Sequence, residues 1–328
     1  MPDKFVSTNA SEPNYQIRPR APWTYNVGLV FLVGCPRSGT TWLQAMFASH
    51  PDIYTGVETG FFVAFSEVDK RLYLNNQDKD DISSWSTYWN DSYFYYVLRD
   101  LFWTTVSALP APPGGPKLFL EKTPDHCLYG KLILKTFPEA RFINLIRDGR
   151  AVVASHLRSA RGWGEKWFSG NTDQALEHWI ECVYAGRLIR TQVSDPAQYI
   201  ELKYEELREN PYKHLSELFR WLNLSYDEAM VSEIISHNSI ENMKKSAQLF
   251  PSIAKPNDSL KSPKGFIGSA SYKPGDFHLT RMQRLKVEAY AGNLLMELGY
   301  PVPRRQLKTF IKFVTSSRAR KLLGLPPL

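Results

Sequence analysis

The stretch LVFLVGCPRSGTTWLQAMF, residues 29–47, constrains the fold more than any other part of this chain. Residues 29–33 are short, β-rich and apolar on both faces, the pattern of a central strand in a parallel sheet. Gly34 and Gly39 frame a tight turn, and residues 40–49 place Trp42, Leu43, Met46 and Phe47 at helical positions. A strand that feeds a glycine loop and then a helix presents a row of backbone N–H groups at a helix N-terminus. That is an anion cradle whatever the side chains are. Ser38, Thr40 and Thr41 add hydroxyls, and Arg37 adds a guanidinium fork that matches oxyanions. Glycine-rich turns also serve packing alone, but three hydroxyls and an arginine beside the glycines favour binding.

Further strands are predicted at 117–120, 141–146 and 199–202, each followed by helical sequence. Asp148 reads as the cap of the helix GRAVVASHLRS, a long helix covers about 173–193, and a last one covers about 280–298. Strands alternating with helices give an α/β class: a central parallel sheet flanked by helices, the three-layer architecture of P-loop NTPases. Residues 1–26 read as an irregular N-terminal arm and 27–300 as a single domain. Within that domain 57–116 is an aromatic helical insertion near the site. Residues 301–328 form a basic amphipathic tail that suits a membrane surface, the body of the protein or a second copy in a homodimer.

The net charge of +7, from 40 Lys and Arg against 33 Asp and Glu, suits an anionic ligand. It is spread along the chain, and no Lys/Arg stripe is interleaved with aromatics, so nucleic acid is not an expected partner. Cys35, Cys127 and Cys182 are far apart and show no metal-ligand spacing, which predicts reduced thiols, no metal and a cytoplasmic location. No apolar run reaches signal-peptide or transmembrane length, so the sequons at Asn90, Asn223 and Asn257 read as chance matches.

The loop has the two glycines of a nucleotide kinase, yet Thr40 stands where the kinase lysine belongs and no Walker-type acidic strand end is present. Both absences argue against Mg²⁺-dependent phosphoryl transfer. A sulfuryl group carries less charge than a phosphoryl group, so a cationic cradle without a divalent ion suits its transfer. An ATP-dependent kinase and a nucleotide-binding module without turnover are the alternative classes.

CPRSGTTWL, followed downstream by RDGRAVVAS, resembles the two nucleotide-binding signatures of sulfotransferases that use 3′-phosphoadenosine 5′-phosphosulfate (PAPS). The similarity of pattern extends over about residues 28–300 and includes YEELRENP and LLMELGY. The resemblance implies sulfuryl transfer from PAPS to a hydroxyl or amine of a small molecule, natural product or glycan, with adenosine 3′,5′-bisphosphate (PAP) as product. It implies that Arg37, Ser38, Gly39, Thr40 and Thr41 hold the 5′-phosphosulfate and that Trp42 stacks on adenine. Arg147 and Ser155 would grip the 3′-phosphate, and Tyr204 would lie near the adenine. SPKGFIGSASYK occupies the place of a second 3′-phosphate loop, with Lys264, Gly265 and Lys273 as its binding residues.

One branch of the family places a histidine base directly after a Lys-Thr pair, but here Lys122-Thr123 is followed by Pro124. Carbohydrate- and tyrosyl-protein-modifying branches use a glutamate shortly after the first helix, and GVETGFF offers Glu58 there. Glu121-Lys122-Thr123 also resembles the carbohydrate branch's Glu-Lys-Ser/Thr segment. The resemblance therefore implies Glu58 as general base, Lys122 and Arg37 as stabilisers of charge on the bridging oxygen, and His126 as reserve base. The aromatics of 57–109 are expected to line the acceptor cleft.

Overall fold

A computed structural model describes residues 21–75, 91–109, 115–246 and 277–303. From the N-terminus the elements are β1 (Gly28–Val33), α1 (Thr40–Ala48), β2 (Ile53–Thr55), α2 (Phe61–Asn75) and α3 (Asp91–Val106). Next come β3 (Leu118–Glu121), a 3₁₀ turn (Pro124–Tyr129), α4 (Gly130–Thr136), β4 (Arg141–Ile146), α5 (Gly149–Ala160) and α6 (Thr172–Gln192). They are followed by β5 (Tyr199–Lys203), α7 (Tyr204–Glu209), α8 (Pro211–Trp221), α9 (Glu228–His237) and α10 (Ile240–Ser246). The described part ends with α11 (Arg281–Tyr290) and α12 (Gly292–Glu297).

All five strands are parallel, in the order β2-β3-β1-β4-β5. Strand period two decides the layers. Leu29, Phe31 and Val33 of β1 join Phe119, Phe142 and Ile146 in one core, while Val30 and Leu32 join Leu118, Leu120, Ile143 and Leu145 in the other. The first core is roofed by helices that include α2–α6, α11 and α12, the second by α1 and α7–α9. The expected three-layer α/β architecture is the observed one. The edge strand β2 has only three residues, too few for a period to show. The helix expected over 280–298 is broken at Ala291, where a poor helix former, Gly292, begins α12.

In a parallel sheet the carboxyl ends of all strands share one edge, where ligands settle. Here that edge carries the glycine loop after β1, Lys122 after β3, Arg147 after β4 and Tyr204 after β5. Asp148 caps α5 as expected, accepting from Arg150 N at 2.9 Å. Its carboxylate and that of Glu288 together hold the buried Arg150 guanidinium, which ties α5 to α11.

The described part of the aromatic segment takes a different place from the one expected, while Trp85, Tyr88 and Trp89 lie outside the described residues. Phe61, Phe62, Phe94, Phe102 and Trp103 are buried against Phe31, Phe119 and Phe137 beneath the sheet. The sheet face needs an apolar cover, and these rings provide it. The N-terminal 20 residues and the tail from 304 lie outside the described residues, as do Lys264, Gly265 and Lys273.

Candidate active site

Three residues of the loop have left-handed backbone: Gly34 at φ 143°, Arg37 at 75° and Gly39 at 99°. At Gly34 a Cβ would meet Leu145 O at 2.3 Å, and at Gly39 it would meet the Tyr204 ring at 2.4 Å. Both positions therefore need glycine for space as well as for conformation. Arg37 holds the left-handed shape without that excuse, a strain of the kind kept at binding loops. Ser38 Oγ is buried with no hydrogen-bond partner among the described residues. An orphaned hydroxyl inside a glycine cradle fits an incoming phosphate oxygen.

The cations expected at two separate phosphates meet in one patch. Arg147 Nη1 donates to Arg37 O at 3.0 Å, and Arg37 Nε donates to Ser155 Oγ at 3.1 Å. Burial, with Arg147 and Arg158 close by, pushes the Arg37 guanidinium down to about 10. Crowded, desolvated cations of this kind are relieved by an anion. The Arg147 guanidinium lies 4.3 Å over the Tyr204 ring, and that of Arg208 lies 5.0 Å over Trp42. Trp42 itself is nearly buried; its Nε1 donates to Asn238 O at 2.8 Å and its ring meets Tyr204 edge-on.

Glu58 and Lys122 form a direct ion pair, although they come from different segments. Glu121 brings them together. Its buried carboxylate accepts from Thr59 Oγ1 and Thr123 Oγ1 at 2.8 Å each and from Thr123 N at 3.0 Å. Thr123 Oγ1 in turn accepts from Gly60 N at 3.1 Å. The segment carrying Glu58 is thus pinned to the end of β3, where Lys122 Nζ also approaches Thr41 Oγ1 at 3.4 Å. Burial alone would raise the Glu121 carboxyl; His126 and the two threonine hydroxyls reverse that and hold it at about 2. Lys122 is 4% exposed at its side chain and Glu58 50%, so the carboxylate faces the cleft while the ammonium sits in its wall.

His126 has no access to that cleft. The ring is fully buried, its Nε2 accepts from Phe62 N at 3.2 Å, and its Nδ1 donates to Glu121 at 2.8 Å. The expected reserve base is a support for Glu121, because the turn Pro124–Tyr129 directs it into the core.

A cleft of about 830 Å³ opens beside the pair. It is lined by Arg37, Thr40, Thr41, Glu58 and Lys122 together with the aromatic Trp163, Trp167 and Phe168. Trp167 is 71% exposed, and the Arg37 guanidinium lies 5.2 Å over the Trp163 ring. These aromatics belong to the connection between α5 and α6; of the described residues of the aromatic insertion, Val57 and Glu58 alone line the cleft. The connection is folded on itself: Gly164 N donates to Ser159 O at 3.0 Å and Phe168 N to Gly164 O at 2.9 Å. His156 packs edge-on against Phe168 and donates from Nε2 to Pro36 O at 2.9 Å; burial pushes it down to about 4, so it is neutral. Sequence reasoning missed Arg158, Arg208, the aromatic wall, Asp125 and His178. The one local signal was the glycine-punctuated GWGEKWFSG just past the helix that the second signature opens.

A model of the sulfotransferase family matches residues 30–228. The chain belongs to the sulfotransferase family. It is 28% identical over 211 residues to a putative protein-tyrosine sulfotransferase of Caenorhabditis briggsae, covering 62% of this chain and 68% of that one. Protein-tyrosine sulfotransferase 1 of Danio rerio is 29% identical over 217 residues, 64% of this chain and 58% of that one. An omega-hydroxy-beta-dihydromenaquinone-9 sulfotransferase of Mycobacterium tuberculosis is 25% identical over 199 residues, 58% of this chain and 44% of that one. The match thus spans between about half and two thirds of these relatives. Among solved structures, the sulfotransferase domain of the curacin biosynthetic pathway superposes with TM-score 0.52 at 16% identity, over 84% of this chain and 99% of that one. Mouse sulfotransferase SULT7A1 complexed with PAP gives 0.52 at 17%, over 86% and 89%. Both likenesses concern the fold. No helix among the described residues is long and apolar enough to cross a membrane.

Proposed function

We propose that this sulfotransferase moves a sulfuryl group from PAPS to a phenolic hydroxyl, releasing PAP. The observation that carries the reading is the Glu58–Lys122 pair set at the sheet edge beside Thr41 and the Arg37 cradle. The acceptor oxygen attacks sulfur, the bond from sulfur to the bridging phosphate oxygen breaks, and the acceptor proton passes to Glu58. Lys122 and Arg37 offset the charge that collects on the departing oxygen. The cation patch of Arg37 and Arg147, the Ser155 hydroxyl and the orphaned Ser38 Oγ fit a nucleotide with two phosphate ends. The reading calls on no metal ion.

A phenol is favoured over a sugar by the tryptophan wall and by the protein-tyrosine sulfotransferases among the relatives. A tyrosine in a peptide is the first candidate, and a free small phenol is the second. A reducing, cytoplasm-like compartment belongs to the same proposal, supported by three unpaired thiols. Calorimetry should show PAP binding far more tightly than AMP, with Arg147→Ala removing the difference. With labelled donor, a tyrosine peptide or a small phenol should accept the sulfuryl group. Equal affinity for PAP and AMP would overturn the donor assignment, and transfer only to a sugar would overturn the acceptor.

A further inference from the structure

The three cysteines are scattered in the sequence and their spacing argued against a metal, yet folding gathers them behind the glycine loop. Cys35 lies in the loop, Cys127 in the turn after β3 and Cys182 on α6, and all three are buried. Cys35 Sγ, a ring nitrogen of His178 and Cys182 Sγ lie within 4.8 Å of one another. His178 and Cys182 are four residues apart on α6, so they share one face, and Nε2 is 3.7 Å from Sγ. Asp125 Oδ1 completes the group, 2.9 Å from His178 Nε2 and 3.9 Å from Cys182 Sγ.

With bonds of about 2.3 Å to sulfur and about 2.0–2.1 Å to nitrogen and oxygen, the donors around a tetrahedral zinc stand roughly 3.3–3.8 Å apart. Three pairs stand near that spacing, at 2.9 Å for Asp125–His178, 3.7 Å for His178–Cys182 and 3.9 Å for Asp125–Cys182, with the Cys35 sulfur within 4.8 Å of the His178 and Cys182 donors; the set combines soft sulfur with imidazole, the donors zinc prefers. An ion has a way in, because Asp125 and His178 line the cleft, with side-chain exposures of 37% and 31%. Cys127 stands behind this group; its thiol donates to Gly34 O at 3.8 Å.

We propose that Cys35, Cys182, His178 and Asp125 form a site for one thiophilic divalent cation, zinc foremost. Binding exchanges the thiol protons of Cys35 and Cys182 for two metal–sulfur bonds and releases those protons to solvent. The imidazole binds through Nε2, with its proton on Nδ1. An occupied site joins the glycine loop, through Cys35, to α6. The ion takes no part in sulfuryl transfer, and the inference stands or falls apart from the proposed reaction.

The test is titration of the full chain, reduced and stripped of metal, with Co²⁺ under anaerobic conditions. One equivalent should give thiolate-to-cobalt charge-transfer absorption in the near ultraviolet together with the intense visible bands of a tetrahedral ion. Zn²⁺ should abolish both. Outer-shell partners cost about 10–100-fold in metal affinity, so Cys182→Ser should weaken binding by at least about 100-fold, whereas Cys127→Ser should leave it nearly unchanged. His178→Ala, at a partly exposed position, gives a second reading should Cys182→Ser fail to fold. A pale octahedral spectrum without the charge-transfer band would overturn the proposal. So would unchanged affinity in either Cys182→Ser or His178→Ala.

Discussion

Glu58→Gln separates the chemistry of the site from its architecture. The amide keeps the shape of the side chain and a hydrogen bond to Lys122, but it removes the charge and the basic oxygen. The structural cost is limited because the Glu58 carboxylate is half exposed and the amide oxygen still accepts from the buried Lys122 ammonium, so only the counter-charge is lost. The Lys122 ammonium also keeps its approach to Thr41 Oγ1 at 3.4 Å. The catalytic cost is of another order. Loss of a general base lowers the rate by about 10²–10⁴-fold, which is about 2.7–5.4 kcal/mol at 1.36 kcal/mol per factor of ten. The assay is PAP release at saturating donor and acceptor, run beside thermal unfolding of both proteins. The expected result is a kcat lower by two to four orders of magnitude, with Tm within a few degrees and the KM for donor nearly unchanged. A folded variant whose kcat stays within tenfold of the parent would refute the assignment. The base would then have to be sought at His178, whose ring faces the same cleft, since His126 is sealed in the core.

Gly39→Ala should abolish donor binding, because its Cβ has no room against the Tyr204 ring and its φ of 99° disfavours a side chain; calorimetry with PAP reads this directly. Acid should destabilise the fold in two stages. Burial holds His156 at about 4, below its ordinary 6.5, so its contribution is whole above 6.5 and is lost as pH falls toward 4. Glu121, held at about 2 against an ordinary 4.5, contributes above 4.5 and loses that contribution as pH falls further. His178, raised above 6.5 by Asp125, acts in the opposite sense and loses its contribution as pH rises. Thermal unfolding across pH 3 to 8 should show Tm falling from about 6.5 downward and more steeply below about 4.5, and His156→Phe should remove the upper stage. Trp167→Ala should raise the KM of a phenolic acceptor several-fold and leave that of the donor unchanged, as steady-state kinetics would show.

The sheet was legible because β1, β3 and β4 are buried along almost their whole length and end at glycine or a charged residue, while YIELK of β5 is a short β-prone run just after the 3₁₀ turn Pro196–Gln198 and before a helix. Strand β2, with IYT as its whole length, has no pattern to read. The glycine loop was legible because its chemistry is local: a backbone turn, its hydroxyls and its arginine are consecutive. The Glu58–Lys122 pair was not, since nothing in either segment announces the other. It came from family resemblance, and the agent that unites the pair, Glu121, emerges only in three dimensions. The aromatic insertion misled because a greasy cleft and the underside of a sheet call for the same residues. Trp163 and Trp167 went unread although their glycine-rich segment follows the helix that the second signature opens.

The connection that holds Trp163, Trp167 and Phe168 draws its internal hydrogen bonds from its own backbone, while the donor cradle and the Glu58–Lys122 pair are built on other segments. The proposed acceptor wall and the proposed donor cradle are thus carried by different stretches of sequence, joined where the Arg37 guanidinium lies over the Trp163 ring. Exchange of the short piece 161–171 should therefore alter the acceptor wall and, through Trp163 and Phe168, the setting of Arg37 and Pro36 as well, so that a new acceptor preference comes with a changed grip on the donor.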